Sequence, residues 1–275
     1  MTQIINGQEL AQTINLKTKT SVTSLKTSGR ALGLAVILIG ENEASKLYVE
    51  KKAQAAKEIG LLFELHEFAS VATESEIIAK IKEINADPKI TGLIVQLPIP
   101  KNLSTPNILS AISKEKDVDC LTNENLGALV TNTPQFIPPT VGAVMSILES
   151  LNFNPAGKNF TIVGTGQLVG KPLTIHLLNL KANVTTANSL TENLADKCST
   201  ADVIVSATGK PNLITKDMVK PGAIVIDAGS GFLAGKTVGD VDFANVKEVA
   251  GAITPTPGGV GPLTVAWLLK NTVGN

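Results

Sequence analysis

Arginine is almost missing from this chain, Arg30 being the single one among 24 basic residues. Any phosphate or carboxylate site must therefore rest on lysine, backbone N–H groups or hydroxyls rather than on the two-pronged guanidinium fork. Aromatic residues are scarce, at 3%, and basic and acidic residues balance at 24 each. No basic run is interleaved with aromatics, which argues against a nucleic-acid platform. Cys120 and Cys198 lie far apart, and the opening MTQIINGQEL lacks the basic-then-apolar pattern of a signal peptide. Together these point to reduced thiols, no disulfide and a cytoplasmic protein. No apolar run approaches the roughly 20 residues of a membrane-spanning helix. His66 and His176 have no second His or Cys at ligand spacing, so no metal site is expected.

What is present is apolar and rhythmic. With 275 residues, 43% of them hydrophobic, the chain can bury a large core, and its length favours two domains. Residues 7–26 carry a helical pattern, and ALGLAVILIG (31–40) is a continuous apolar run suited to a strand covered on both faces. Next comes a helix over 45–59, free of Pro and Gly, in which Tyr48 and Lys52 lie one turn apart on one face. LLFELHEF, a helix opened by Thr73, and ITGLIVQLPI follow as strand, helix and strand, the signature of a parallel α/β domain. Ligands bind such sheets beyond the carboxyl ends of the strands, which brings Gln96 beside Tyr48 and Lys52. From Pro98 to Pro139 the prolines and the run KDVDC, holding Asp117 and Asp119, read as an irregular rim with one short helix near Ile108–Ile112.

A helix over 140–151 leads into a second series of strands and helices, beginning NFTIVGTG and QLVGKPLTIHLLNL. This is the rhythm of a doubly wound dinucleotide fold. Gly164, Gly166 and Gly170 occupy its first strand-to-helix turn, where missing side chains let backbone N–H groups approach a pyrophosphate. Their spacing, GxGxxxG, is common to many nucleotide binders. The chain closes with TPTPGGVGPLT, whose residues 254–262 Pro and Gly bar from regular structure, and a final apolar helix.

Taken together and in order, YVEKK after a GENEAS turn, GLIVQLPIP, KDVD, VGKP, GDVDF and TPTPGGVGPLT resemble the bifunctional methylenetetrahydrofolate dehydrogenase/methenyltetrahydrofolate cyclohydrolase family over nearly the whole chain. The resemblance implies an α/β protein of two domains. Residues 1–139, completed by 256–275, would form the folate and catalytic domain with a parallel sheet, and 140–255 a Rossmann domain, with a folate cleft between them. It further implies oxidation of 5,10-methylenetetrahydrofolate with a nicotinamide, hydrolysis of the methenyl product to 10-formyltetrahydrofolate, and a homodimer through the Rossmann half. Lys52 would be the catalytic residue with Tyr48 and Gln96 beside it, and Asp119 would hold the pterin. Pro257, Gly258 and Gly259 would complete the substrate site, and Gly164, Thr165, Gly166, Gly170, Asn188, Ser189 and Ser230 the cofactor site. Burial and a bound substrate cation should both lower the pKa of Lys52.

The chain departs from the family's pattern where NADP is distinguished from NAD. Thr165 and Gly166 stand where the family usually has Arg-Ser, whose Arg pairs with the 2′-phosphate, and residues 186–189 offer neither a cation nor an acid. NADP is the expected cofactor with NAD the alternative, and Lys158, Lys171 and Lys210 are candidate replacement cations. Cys120 stands where the family has Gly, so a positive φ there would strain the Asp119 loop.

Overall fold

The computed structural model describes residues 1–233 and 236–274. The first half runs β1 (Gln3–Ile4), α1 (Gly7–Thr27), β2 (Gly33–Ile39), α2 (Glu43–Glu58), β3 (Leu62–Phe68), α3 (Glu74–Ala86), β4 (Gly92–Val95), α4 (Thr105–Ser110), α5 (Asn123–Val130) and α6 (Pro139–Ser150). The second runs β5 (Asn159–Val163), α7 (Gly170–Asn179), β6 (Asn183–Ala187), α8 (Leu194–Ser199), β7 (Val203–Ser206), β8 (Ile224–Asp227), β9 (Gly231–Leu233), β10 (Lys236–Val238), α9 (Phe243–Val246), β11 (Ala252–Ile253) and α10 (Val260–Val273). Two compact units divide this chain: Gln12–Ala128 with Thr133–Pro139 and the chain from Val265, and Thr140–Thr264 with Met1–Ala11 and Leu129–Asn132.

The first unit is built on a parallel sheet of order β3-β2-β4. All seven residues of β2 are buried, because the side chains of a central strand alternate between two covered faces and both must be apolar. Leu34, Val36 and Leu38 enter one cluster with Val49 and Ala56 of α2 and Leu268, Leu269 and Val273 of α10. Ala35, Ile37 and Ile39 enter the other, with Ile77, Ile81 and Ile84 of α3. Thr73 opens α3 through a reciprocal cap with Glu76, and Lys116 closes it by donating to the carbonyls of Ile84 and Asp87. The Lys of KDVD is thus a structural residue.

The second unit holds a parallel sheet of order β1-β11-β8-β7-β5-β6. Strand order reverses between β5 and β7, and in a doubly wound sheet the crevice beyond that point is where a ligand binds.

Several elements differ from the sequence expectation. The first eleven residues, placed by sequence with the folate domain, join the six-stranded unit, since β1 pairs with β11. Residues 256–264 fall in the same unit, and α10 starts at Val260, inside the stretch expected to be irregular, so its first turn lies in one unit and the rest of the helix in the other. The link is a backbone contact: a Cβ at Gly7 would lie 1.7 Å from the carbonyl oxygen of Gly259. Helix α5 lies in the stretch expected to be irregular. Its start is organised by the Asp117 carboxylate, just upstream, accepting from the N–H groups of Leu121 and Thr122, a signal absent from apolar periodicity. Helix α7 begins at Gly170, leaving residues 164–169 as an open turn. Among the described residues no helix is long and apolar enough to cross a membrane, and no group of three or more His, Cys, Asp or Glu is arranged to hold a metal.

Candidate active site

Helix α2 begins immediately beyond the carboxyl end of β2, where Gly40 turns the chain at a φ of 82° and Asn42 caps the helix by accepting from the Ser45 N–H. One face of α2 packs Val49 and Ala56 on the sheet. Tyr48 and Lys52 are half-buried, and the Lys51 ammonium lies 5.6 Å from the centre of the Tyr48 ring. Gln96 follows β4, its N–H bonded to the Ile37 carbonyl, so its side chain arrives from the neighbouring strand at the same sheet edge. The Gln96 amide donates to the Leu97 carbonyl at 2.8 Å, which leaves its Oε1 to accept from Lys52 Nζ, also at 2.8 Å.

Two ionisable groups here are displaced in opposite directions. Burial pushes the Lys52 amine below its ordinary value, opposed by the attraction of Asp119. Burial likewise raises the Asp119 carboxyl, opposed by Lys52 and reinforced by the charge of Asp117. A lysine held toward neutrality, with one hydrogen bond fixing its direction, is equipped to take and return a proton. The sequence brought Lys52 and Gln96 together correctly, and Asp119 lies within their electrostatic reach.

The two aspartates of KDVD have different tasks. Asp117 is fully buried and accepts from the Leu121 and Thr122 N–H groups and from the Asn125 amide. Asp117→Ala strands the Leu121 and Thr122 N–H groups, while the Asn125 amide keeps the Lys114 carbonyl, and is expected to lower stability by about 2–5 kcal/mol, measured by denaturant unfolding. Cys120, between Asp119 and that helix start, has a φ of 59°, so the left-handed turn is carried by a non-glycine residue at a cost of about 1 kcal/mol or more. Its thiol is buried and pushed far up by desolvation, with Asp117 and Asp119 adding to the shift, which leaves it inert.

In the second unit the glycine turn follows β5. A Cβ at Gly170 would lie 1.8 Å from the Gly164 carbonyl oxygen, and one at Gly164, whose φ is 101°, would lie 2.4 Å from the Ala207 carbonyl oxygen. Gly164 and Gly170 are therefore demanded by the protein's own packing. Gly166 is not: nothing lies within 4 Å of where its Cβ would be, so the space before it is open to a ligand. That cradle fits a pyrophosphate approached by backbone N–H groups.

The comparisons with known proteins join these two halves. Residues 5–119 match the family described as tetrahydrofolate dehydrogenase/cyclohydrolase, catalytic domain, and residues 138–275 match its NAD(P)-binding domain. The chain belongs to the tetrahydrofolate dehydrogenase/cyclohydrolase family. It is 46% identical over 272 residues to the bifunctional protein FolD of Nitrosospira multiformis, covering 98% of this chain and 94% of that one. It is similar to the crystal structure of the bifunctional FolD of Campylobacter jejuni, with 39% identity, a TM-score of 0.97 and coverage of 99% and 98%. The Trypanosoma brucei FolD, described as complexed with NADP cofactor and inhibitor, is 34% identical with a TM-score of 0.96, covering 99% of this chain and 96% of that one.

For this member of the tetrahydrofolate dehydrogenase/cyclohydrolase family, the predicted residues divide between the units. Tyr48, Lys52, Gln96 and Asp119 belong to the first, whereas Pro257, Gly258 and Gly259 belong with the nucleotide turn to the second. Beyond β6, Asn188 folds back on its own loop: its N–H donates to Thr191 and its Oδ1 accepts from the Leu190 N–H. Leu190 is 88% exposed there. Of the candidate replacement cations, Lys158 is at the wrong end of the sheet. It precedes β5, a strand about 16 Å long, and its carbonyl accepts from Asn183 at the amino edge. Lys171, at the start of α7, and Lys210, after β7, are at the carboxyl edge. Sequence reasoning missed two buried carboxylates, Asp227 and Asp240, although GDVDF contains one of them.

Proposed function

We propose that this chain oxidises 5,10-methylenetetrahydrofolate to the 5,10-methenyl form and hydrolyses that product to 10-formyltetrahydrofolate. The observation that carries the reading is the half-buried Lys52, its amine held at 2.8 Å by Gln96, with the Asp119 carboxylate in range. In the hydrolysis, water adds to the electrophilic amidinium carbon as its proton passes to Lys52. The lysine then returns that proton to the nitrogen that departs when the C–N bond opens. Gln96 restricts the amine's direction, and Tyr48 offers a flat face to the aromatic part of the folate. A bound nicotinamide dinucleotide supplies the hydride acceptor of the first step. For that step the protein contributes position, through the turn at Gly164, Gly166 and Gly170.

Asp119 is the proposed anchor for the pterin's amino and ring N–H groups, a donor pair that a carboxylate matches. Asp119→Ala is expected to weaken folate binding about tenfold to a hundredfold in a titration followed by fluorescence. Unchanged affinity would remove the role.

NADP is the cofactor proposed first, on family grounds. A second reading, NAD, is favoured by one specific observation: Thr165, Asn188 and the exposed Leu190 offer no charge to a 2′-phosphate. We further propose a cytoplasmic homodimer, supported by two buried, reduced thiols and by β6 forming an edge of the six-stranded sheet. A spectrophotometric assay with methylenetetrahydrofolate and each nicotinamide, followed by a separate assay of methenyl hydrolysis, tests the whole reading. Turnover in neither would overturn it.

A further inference from the structure

The second unit buries two acidic residues that the proposed chemistry does not use. Asp227 ends β8, and its carboxylate accepts from the N–H groups of Gly229, Asp240 and Val241 at 3.0–3.1 Å. Its own N–H donates to the Thr254 hydroxyl at the end of β11. Asp240 is completely buried, and its Oδ2 accepts three hydrogen bonds: from the Ser206 hydroxyl at the end of β7, from the Thr208 N–H at 2.6 Å, and from the Thr208 hydroxyl. Its Oδ1 is buried without a hydrogen-bond partner.

Two glycines show how closely these carboxylates are fitted. A Cβ at Gly229 would lie 2.1 Å from the Asp240 carboxylate, and one at Gly239 would lie 1.8 Å from the Asp227 carboxylate. Each acid thus occupies the space that a side chain on the partner's loop would take. The loop held by Asp240 is also the one that meets the nucleotide turn, because the Ala207 carbonyl lies against Gly164. Gly229 precedes Ser230, a candidate cofactor residue. A continuous path of contacts therefore runs from Asp240 through Thr208 and Ala207 to Gly164, and through Gly229 to Ser230.

We infer that Asp240 is a positioning residue for nucleotide oxidation: its carboxylate sets the loops after β7 and β8 that border the dinucleotide site. The inference rests on the dehydrogenase reading above. Asp240 touches neither cofactor nor substrate in this account and acts through Thr208 and Gly229. A carboxylate suits the task because a single oxygen must accept three donors in the absence of water, and an ionised acceptor does so more strongly than a neutral one. Burial pushes its neighbour Asp227 up to about 6, against the pull of the Val241, Asp240 and Gly229 N–H groups and with the Asp240 charge adding to the rise. The pair is accordingly a costly arrangement, maintained at the carboxyl edge of the sheet, where Asp240 holds the end of β7.

The test compares Asp240→Ala, Asp240→Asn and Thr208→Val in the full chain by dehydrogenase kcat and KM for NADP and NAD, cyclohydrolase turnover on supplied methenyltetrahydrofolate, and melting temperature. Asp240→Ala is expected to raise the dinucleotide KM about tenfold or more, the effect of losing a charged hydrogen-bond partner. Cyclohydrolase turnover should stay within about twofold, since Lys52, Gln96 and Asp119 all belong to the other unit. Asp240→Asn, which keeps one oxygen for Ser206 and Thr208 but not its charge, should recover part of the KM. Thr208→Val, which removes one donor to the carboxylate and the acceptor of the exposed Lys210 N–H, should raise KM about threefold or more with little change in melting temperature. If Asp240→Ala fails to fold, Thr208→Val decides alone. An unchanged KM in Thr208→Val, or equal losses in both activities tracking the melting temperature, would overturn the inference. Absence of dehydrogenase turnover in the unsubstituted chain would instead count against the dehydrogenase reading.

Discussion

Replacing Lys52 by methionine is expected to lower cyclohydrolase turnover by about a hundredfold to ten thousandfold, the usual contribution of a positioned proton-transfer group. The fold should survive the change. Methionine is close to lysine in length, and the substitution removes a group whose ionised form burial disfavours. The pH dependence carries a sign that checks the mechanism. A lysine acting as a base works when neutral, so turnover, corrected for the uncatalysed reaction, should rise with pH. The limb should lie below the ordinary lysine value of 10.5 because burial lowers Lys52. Loss of Lys52 should abolish that limb as well as the rate. A Lys52→Met enzyme with ordinary turnover, or one that keeps the limb, would place the proton transfer elsewhere.

Thr165→Arg is expected to raise kcat/KM for NADP relative to NAD about tenfold to a hundredfold. A guanidinium pairing with a phosphate is worth roughly 1.5–3 kcal/mol over an uncharged neighbour. The effect should appear in KM, because the 2′-phosphate is remote from the hydride and bound equally before and during transfer. In the unsubstituted chain the same comparison measures how far Lys171 and Lys210 make up for the missing charge. A cofactor ratio that does not respond to Thr165→Arg would show that the adenosine end is read by another group.

Much of the first unit was legible because its signals are local. The unbroken apolar run of β2 announces a strand covered twice, and the alternation of its side chains into two clusters follows from that run alone. The Lys52–Gln96 pair was legible for a related reason, since parallel strands deliver their carboxyl ends to one edge. What escaped was organised by contacts distant in sequence. Strand β1 has two residues and no periodicity, and only its pairing with β11 defines it. Helix α5 escaped for another reason: it contains Gly127, and the carboxylate that starts it, although near in sequence, leaves no mark in the apolar pattern. The Asp227–Asp240 arrangement joins positions 13 residues apart with positions near 206 and 254, and no spacing rule announces such a knot. At Cys120 the family resemblance raised the question, since the family has Gly there, and the φ of 59° answers it: the left-handed turn is kept by a residue with a side chain.

The seating of Gly7 on Gly259 bears on how this protein can be divided. The six-stranded unit borrows an outermost strand from the opening residues of the chain, a short piece from Leu129–Asn132, and the rest from Thr140–Thr264. A fragment starting at Thr140 would carry the glycine turn and both buried acids yet leave the β11 edge bare. The unit is thus not transferable as one uninterrupted stretch, and a transplant into another protein would have to bring the first eleven residues as a separate piece.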